Sequence, residues 1–168
     1  MGTEIERKFL VVSDAWREGA KGVDYVQAYI SNDKNRVVRV RIAGDEAFLT
    51  LKGAPAADGI SRSEHEYKIP KKDAEEMLET LCLPGKIEKT RYKVPHGGLV
   101  WEIDVFKGAN TGLIVAEVEL PAADHPVKLP PWAGAEVSQD ARYTNAELSK
   151  NPYSSWKQKV EKCHTPKH

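Results

Sequence analysis

The chain is poor in the features that announce many functions. It has two cysteines in 168 residues, Cys82 and Cys163, too few for a disulfide framework or a cysteine-built zinc site, so a reducing compartment is expected. No stretch approaches the roughly 20 apolar residues of a membrane-crossing helix. The start, MGTEIERKFLVV, is charged where a secretory leader would carry its apolar run, and position 6 is glutamate where a myristoylation signal needs Ser or Thr. Neither sign of charge dominates: 25 Lys and Arg against 25 Asp and Glu leave a net charge of zero. That balance gives no basic field for holding nucleic acid. There is no Walker-type glycine loop and no G-x-S-x-G elbow, and the histidines have no metal-ligand spacing. The expectation is a cytoplasmic protein with neither a membrane nor a nucleic-acid partner.

What is present is charge in a repeating order. Charged residues make up 30% and hydrophobic ones 40% of the chain, a globular composition of a size that fits one domain. Eight short segments alternate polar and apolar residues, at 3–12, 24–31, 36–43, 46–53, 60–69, 86–94, 99–107 and 113–121. Turn residues separate them, among them Gly44-Asp45 and Gly97-Gly98, which is the pattern of an antiparallel β protein. One helix is predicted over 71–82, where Ala74, Met77, Leu78, Leu81 and Cys82 form a stripe between Pro70 and Pro84-Gly85. Shorter helical pieces are expected at 14–19 and 144–150.

A strand sends residues i, i+2 and i+4 to one face. On that rule Glu4, Glu6 and Lys8 share a face, as do Arg39 with Arg41, Phe48 with Thr50 and Lys52, and Arg62 with Glu64, Glu66 and Lys68. Lys89, Arg91 and Lys93 form a further set, followed by Glu102 with Asp104 and Glu117 with Glu119. An ordinary solvated face mixes signs. Here acids follow acids and bases follow bases, and such neighbours repel unless a cation or an anion sits between them. Eight strands also suit a closed barrel with these faces turned inward. The residue types then point to hard divalent cations on carboxylates beside a multiply charged anion on Arg and Lys. Carboxylate pairs alone would also suit a glycosidase, but converging cations make poor sense around a neutral sugar.

The ordered set Glu4-Ile5-Glu6-Arg7-Lys8, RVRI at 39–42, TLK at 50–52, SRSEHEYKIP at 61–70, KTRY at 89–92, EIDVF at 102–106, AEVEL at 116–120 and EVSQDARYTNAEL at 136–148 resembles the CYTH superfamily of triphosphate tunnel metalloenzymes. The resemblance implies a mainly β (α+β) fold, a closed eight-stranded antiparallel barrel or tunnel with helices packed outside. It implies a domain over residues 1–150 and a C-terminal tail, 151–168, frayed or partly helical. The implied activity is hydrolysis of a triphosphate with Mg²⁺ or Mn²⁺, two ions with substrate bound. Matched by position, Glu4, Glu6, Glu117 and Glu119, with Asp104 added, are the implied metal ligands. Lys8, Arg39, Arg41, Lys52, Arg62, Lys89 and Arg91 are the implied triphosphate-binding residues, and Lys8 with Tyr29 matches a catalytic acid dyad of the family. Glu102 is ranked first as a counter-charge, whereas Glu64 and Glu66 stay open between ligand, water-positioning and counter-charge roles.

Inorganic triphosphate needs no organic pocket, and the tryptophans offer no platform for one: Trp101 has outward parity, Trp16 and Trp132 lie in connections, and Trp156 is in the tail. Trp132 reads as a staple for the C-terminal helix. Inorganic triphosphatase is therefore the leading expectation. Thiamine triphosphatase, nucleoside triphosphatase, class IV-type adenylyl cyclase and a non-catalytic polyphosphate- or nucleotide-binding module stand as alternatives. The partner expected is a small-molecule triphosphate, for a monomer or a homodimer.

Overall fold

The computed structural model describes residues 2–156. Nine strands appear: β1 (Gly2–Val11), β2 (Gly22–Asp33), β3 (Arg36–Ala43), β4 (Glu46–Pro55), β5 (Ser61–Ile69), β6 (Ile87–His96), β7 (Leu99–Phe106), β8 (Ile114–Glu119) and β9 (Ala133–Glu136). Eight of them close a ring. The sheet runs β5-β4-β3-β2-β6-β7-β8-β1, and the start of β1 returns to pair with β5. Every neighbouring pair is antiparallel. Closure leaves no free edge and gives the alternating side chains an inside and an outside.

Short turns set the register. Gly97 and Gly98 have φ of +62° and +81°, the left-handed pair that a two-residue hairpin between His96 and Leu99 requires. The ninth strand, which alternation did not reveal, is only four residues long and lies along the second half of β1, with Phe9 opposite Glu136. Just beyond it the Val137 amide donates to the Lys8 carbonyl at 2.8 Å.

The apolar faces look outward and are covered. Helix α1 (Lys71–Thr80) lays Ala74, Met77 and Leu78 over Val40, Ile42 and Ala47 of β3 and β4, stopping two residues before the predicted end. Beneath the opposite wall Trp101 is wholly buried, tilted on Phe9 at 5.5 Å and edge-on to Trp132 at 5.6 Å. Trp132 thus closes this core and does not staple the C-terminal helix. Residues 14–19 form turns, not a helix, and carry Trp16 onto Tyr92 at 4.9 Å. Helix α2 (Asn145–Lys150) is followed by a helical turn at 153–156, whose Trp156 packs against Tyr143 and Tyr153. The remainder of the expected tail, with Cys163, His164 and His168, lies outside the described residues. No helix among the described residues is long and apolar enough to cross a membrane.

Because Trp101 sits at the centre of the largest apolar cluster, Trp101→Ala is predicted to cost about 3–5 kcal/mol. Denaturant unfolding measures this directly; a loss below about 1 kcal/mol would contradict the packing described.

Candidate active site

The inside of the ring is a chamber of about 490 Å³ walled mostly by polar and charged groups. β1 supplies Glu4, Glu6 and Lys8, and β8 supplies Glu117 and Glu119 beside them, with Glu6 opposite Glu119 and Lys8 opposite Glu117. Further round the ring β3 presents Arg39 and Arg41 and β4 presents Lys52, while β5, paired with the start of β1, presents Arg62, Glu64 and Glu66. Arg91 and Lys93 of β6 and Glu102 of β7 complete the ionisable wall, with Glu46 at the start of β4. Tyr25 and Tyr29 come from β2.

Two of the residues expected here sit behind the wall. Lys89 and Asp104 are wholly buried and do not line the chamber. Lys89 Nζ donates to Asp104 Oδ2 at 2.8 Å, and Arg91 grips the same carboxylate with Nε and NH2 at 2.7 and 2.9 Å. Both Asp104 oxygens are therefore engaged by cations, which makes it an anchor for Arg91 and Lys89 and removes it from the expected ligand set. Arg91 reaches on to Glu102 at 3.2 Å and Glu117 at 3.3 Å, so Glu102 does act as a counter-charge. Lys52 is paired with Glu4 at 2.9 Å and, more loosely, with Glu64 at 3.7 Å. Arg62 does line the chamber, but its guanidinium donates to the Gly53 and Lys34 carbonyls and not to Glu64 or Glu66.

The rest of the charge is not matched. Arg41 donates to Gln27 Oε1 at 2.8 Å and forms no ion pair among the described residues. Arg39 meets Glu66 only at 3.6 Å, and its buried Nε has no partner. Lys8 Nζ donates to the Tyr143 carbonyl at 3.1 Å and likewise has no ion pair. On the carboxylate side, Glu6 and Glu119 also lack a cation. Tyr25 lies between Arg41 and Arg91, each guanidinium 5.0 Å from its ring centre, and so spaces two like charges through cation–π contact.

The proton affinities record this imbalance. Desolvation, then Arg39 and Arg91, pull the Arg41 guanidinium down to about 10. Desolvation and the facing Glu117 and Glu4 push Glu6 well above the carboxylate range. Glu117 is held well below that range: burial opposes this, but Lys8 and Arg91 outweigh it. The two neighbouring carboxyls are thus shifted in opposite directions. Glu119 is raised as well, by desolvation and then Glu4 and Glu64. Lys8 is raised despite its burial, because Glu117, Glu6 and Asp104 surround it.

These features bear on a metal. Among the described residues no three acidic or histidine side chains are already gathered at coordinating distance. Even so, Glu4, Glu6, Glu117 and Glu119 form an all-oxygen donor set in which Glu6 and Glu119 have no cation partner among the described residues. That set fits a hard divalent cation.

The CYTH domain profile matches residues 2–152. The chain belongs to the CYTH family. It is similar to the inorganic triphosphatase of Acetivibrio thermocellus, with 51% identity over 94% of this chain and all of that one. The inorganic triphosphatase of Nitrosomonas europaea is 40% identical over 88% of this chain and 97% of that protein. A crystal structure of an inorganic triphosphatase superposes with a TM-score of 0.62 at 35% identity, covering 89% of this chain and 95% of that one.

In this CYTH chain, the residues that alternation grouped on one face, Glu4, Glu6, Lys8, Arg39, Arg41, Lys52, Arg62, Arg91, Glu117 and Glu119, line the chamber, as does Tyr29, which only the family resemblance had singled out. Alternation overlooked Tyr25 and Gln27, which share the parity of Tyr29. It also missed Thr144, Asn145 and Ala146, which reach the chamber from outside the barrel and leave no periodic signal.

Glu119 has a raised pKa in the fold, so the fold disfavours its charged form. The stabilising effect of protonation is present at low pH and is lost as pH rises through the folded value. Glu119→Gln is therefore predicted to leave the thermal midpoint of metal-free protein unchanged at acid pH and to raise it above wild type at neutral pH. A midpoint below wild type at neutral pH would contradict this. Asp104→Ala should do the opposite, costing about 3–5 kcal/mol because two buried cations lose their counter-ion; denaturant unfolding reads the loss.

Proposed function

We propose that the protein hydrolyses inorganic triphosphate to diphosphate and phosphate with the help of Mg²⁺ or Mn²⁺. The observation that carries this is that Arg41 has no ion pair among the described residues and Arg39 only a loose one at 3.6 Å, in a chamber where Glu6 and Glu119 also lack a cation. An anion alone would satisfy the first set and leave the second repelling. A triphosphate carrying divalent cations satisfies both.

Arg39 and Arg41 are preorganised to receive phosphate oxygens, since Thr50 and Gln27 fix their guanidinium planes. Arg91 is pinned by Asp104 and can contribute without reorganising. Glu4, Glu6, Glu117 and Glu119 would hold the cations. Bound there, one or two such ions would neutralise phosphate oxygens and lower the pKa of a water. A carboxylate among Glu4, Glu6 and Glu119 accepts the proton of the attacking water as the terminal P–O bond breaks. The diphosphate leaves carrying the negative charge of that bond, which Lys8 and the arginines offset. The pKa of Lys8 is raised, so its role is charge neutralisation more than proton donation, while Tyr29 lines the same chamber from β2.

The inorganic substrate is favoured over thiamine triphosphate by where the tryptophans are. Trp16, Trp101, Trp132 and Trp156 are all buried in packing outside the chamber, leaving no indole to stack on an organic group.

The test is phosphate release from inorganic triphosphate, thiamine triphosphate and ATP, each with Mg²⁺ or Mn²⁺ and with a chelator. Fast release from the inorganic compound is expected, abolished by the chelator and reduced by about 10²-fold or more in Glu119→Gln. Tight binding without turnover would favour the binding-module alternative, and pyrophosphate from ATP would favour a cyclase.

A further inference from the structure

Asn145 is the first residue of α2 and the one amide side chain that the C-terminal segment contributes to the chamber wall. Its orientation is fixed by chemistry. Lys89 Nζ donates to Asn145 Oδ1 at 2.9 Å and to Asp104 Oδ2 at 2.8 Å, so the atom facing Lys89 is the carbonyl oxygen. The Nδ2 group then points away from Lys89, carrying two N–H donors that have no partner among the described residues. Nor is that nitrogen sealed from solvent.

The frame around Asn145 is held firmly. The Thr144 hydroxyl accepts from the Glu147 amide at 3.1 Å, and Asn32 Nδ2 donates to the Ala146 carbonyl at 2.9 Å. Leu148 is buried among Ile87, Phe106, Leu113 and Val115. One residue before Thr144, the Tyr143 carbonyl accepts from Lys8. Asn145 is thus placed beside a wall that is short of anionic partners, with a pair of free donors and little freedom to turn them elsewhere.

We infer that Asn145 is a substrate-contacting residue whose Nδ2 donates to a phosphate oxygen, and that buried Lys89 is the positioning residue that keeps this amide facing the right way. The inference rests on the triphosphatase reading above. It gives Lys89, which does not line the chamber, a role that works through Asn145. It also makes the segment after β9 part of the site rather than an external brace.

Two substitutions separate this from a purely supporting role. Asn145→Ala removes both the oxygen that Lys89 uses and the donors. Asn145→Asp keeps an oxygen for Lys89, and strengthens that contact, but turns the free donors into a carboxylate oxygen facing the substrate. KM for inorganic triphosphate is expected to rise about tenfold in Asn145→Ala, with a smaller change in kcat. In Asn145→Asp it should rise at least another tenfold or so, through like-charge repulsion. Calorimetric binding of inorganic triphosphate should follow the same order, with thermal midpoints recorded for both variants. If Asn145→Asp binds as well as or better than Asn145→Ala, Asn145 only supports Lys89 and the inference falls. An unchanged KM in Asn145→Ala overturns it equally, and decides the matter should Asn145→Asp not fold. Wild-type protein inactive on inorganic triphosphate would instead overturn the activity itself.

Discussion

Asp104 holds two cations at once, Lys89 at 2.8 Å and Arg91 at 2.7 and 2.9 Å, all three buried inside a closed barrel. Removing such ions from water costs several kcal/mol apiece, and only close pairing with further hydrogen bonds offsets that. Asp104 shows the balance at work: burial raises its pKa, yet Lys89 and Arg91 reverse the effect and keep it below the ordinary range. Once this cluster is satisfied, Arg91 is fixed with its remaining donors turned toward Glu102 and Glu117. The carboxylates of β7 and β8 are thereby tied to Arg91, while Arg41 is left without an ion pair among the described residues.

That separation is what makes the chamber chemically competent. Where cations and carboxylates meet, as in Lys52 with Glu4, the pair stabilises the fold and offers less to a ligand. Where they are kept apart, Arg41 loses basicity and the pKa of Glu6 rises. Each of these shifts marks a position at which a bound charge of opposite sign would be welcomed. The barrel supplies the geometry at low cost, because strand pairing fixes which side chains stand opposite each other and closure limits how far water can relieve the repulsion.

Much of this was legible in the sequence because a strand has only two faces. The alternation in EIERK, RVRI and AEVEL assigns each charged residue to one side, and eight segments make a closed ring the natural way to gather those sides. Depth along the barrel axis is not encoded in alternation, which is why Lys89 and Asp104 shared a face with Arg91 and Glu102 yet ended behind the wall. Local irregularity is equally silent. One extra residue in β2, between Tyr29 and Ser31, shifts the register so that Asn32 stands opposite Val37 and bonds to Ala146. The four-residue β9 is too short for a pattern, and Asn145 enters from a helix held by the packing of Leu148 and by hydrogen bonds such as Asn32 Nδ2 to the Ala146 carbonyl, contacts that leave no periodic signal. Trp132 was assigned to the wrong contact for the same reason: a tryptophan in a connection carries no parity.

The most direct test of the account is equilibrium binding of inorganic triphosphate in the presence of a metal chelator, comparing wild type with Arg41→Gln over a range of salt concentrations. If the unmatched arginines are the anion site, wild type binds without metal, weakens as salt rises, and loses about 10- to 100-fold in affinity on the substitution. Binding that is indifferent both to salt and to Arg41 would contradict the account, since it would mean that the chamber's segregated charge does not hold the substrate.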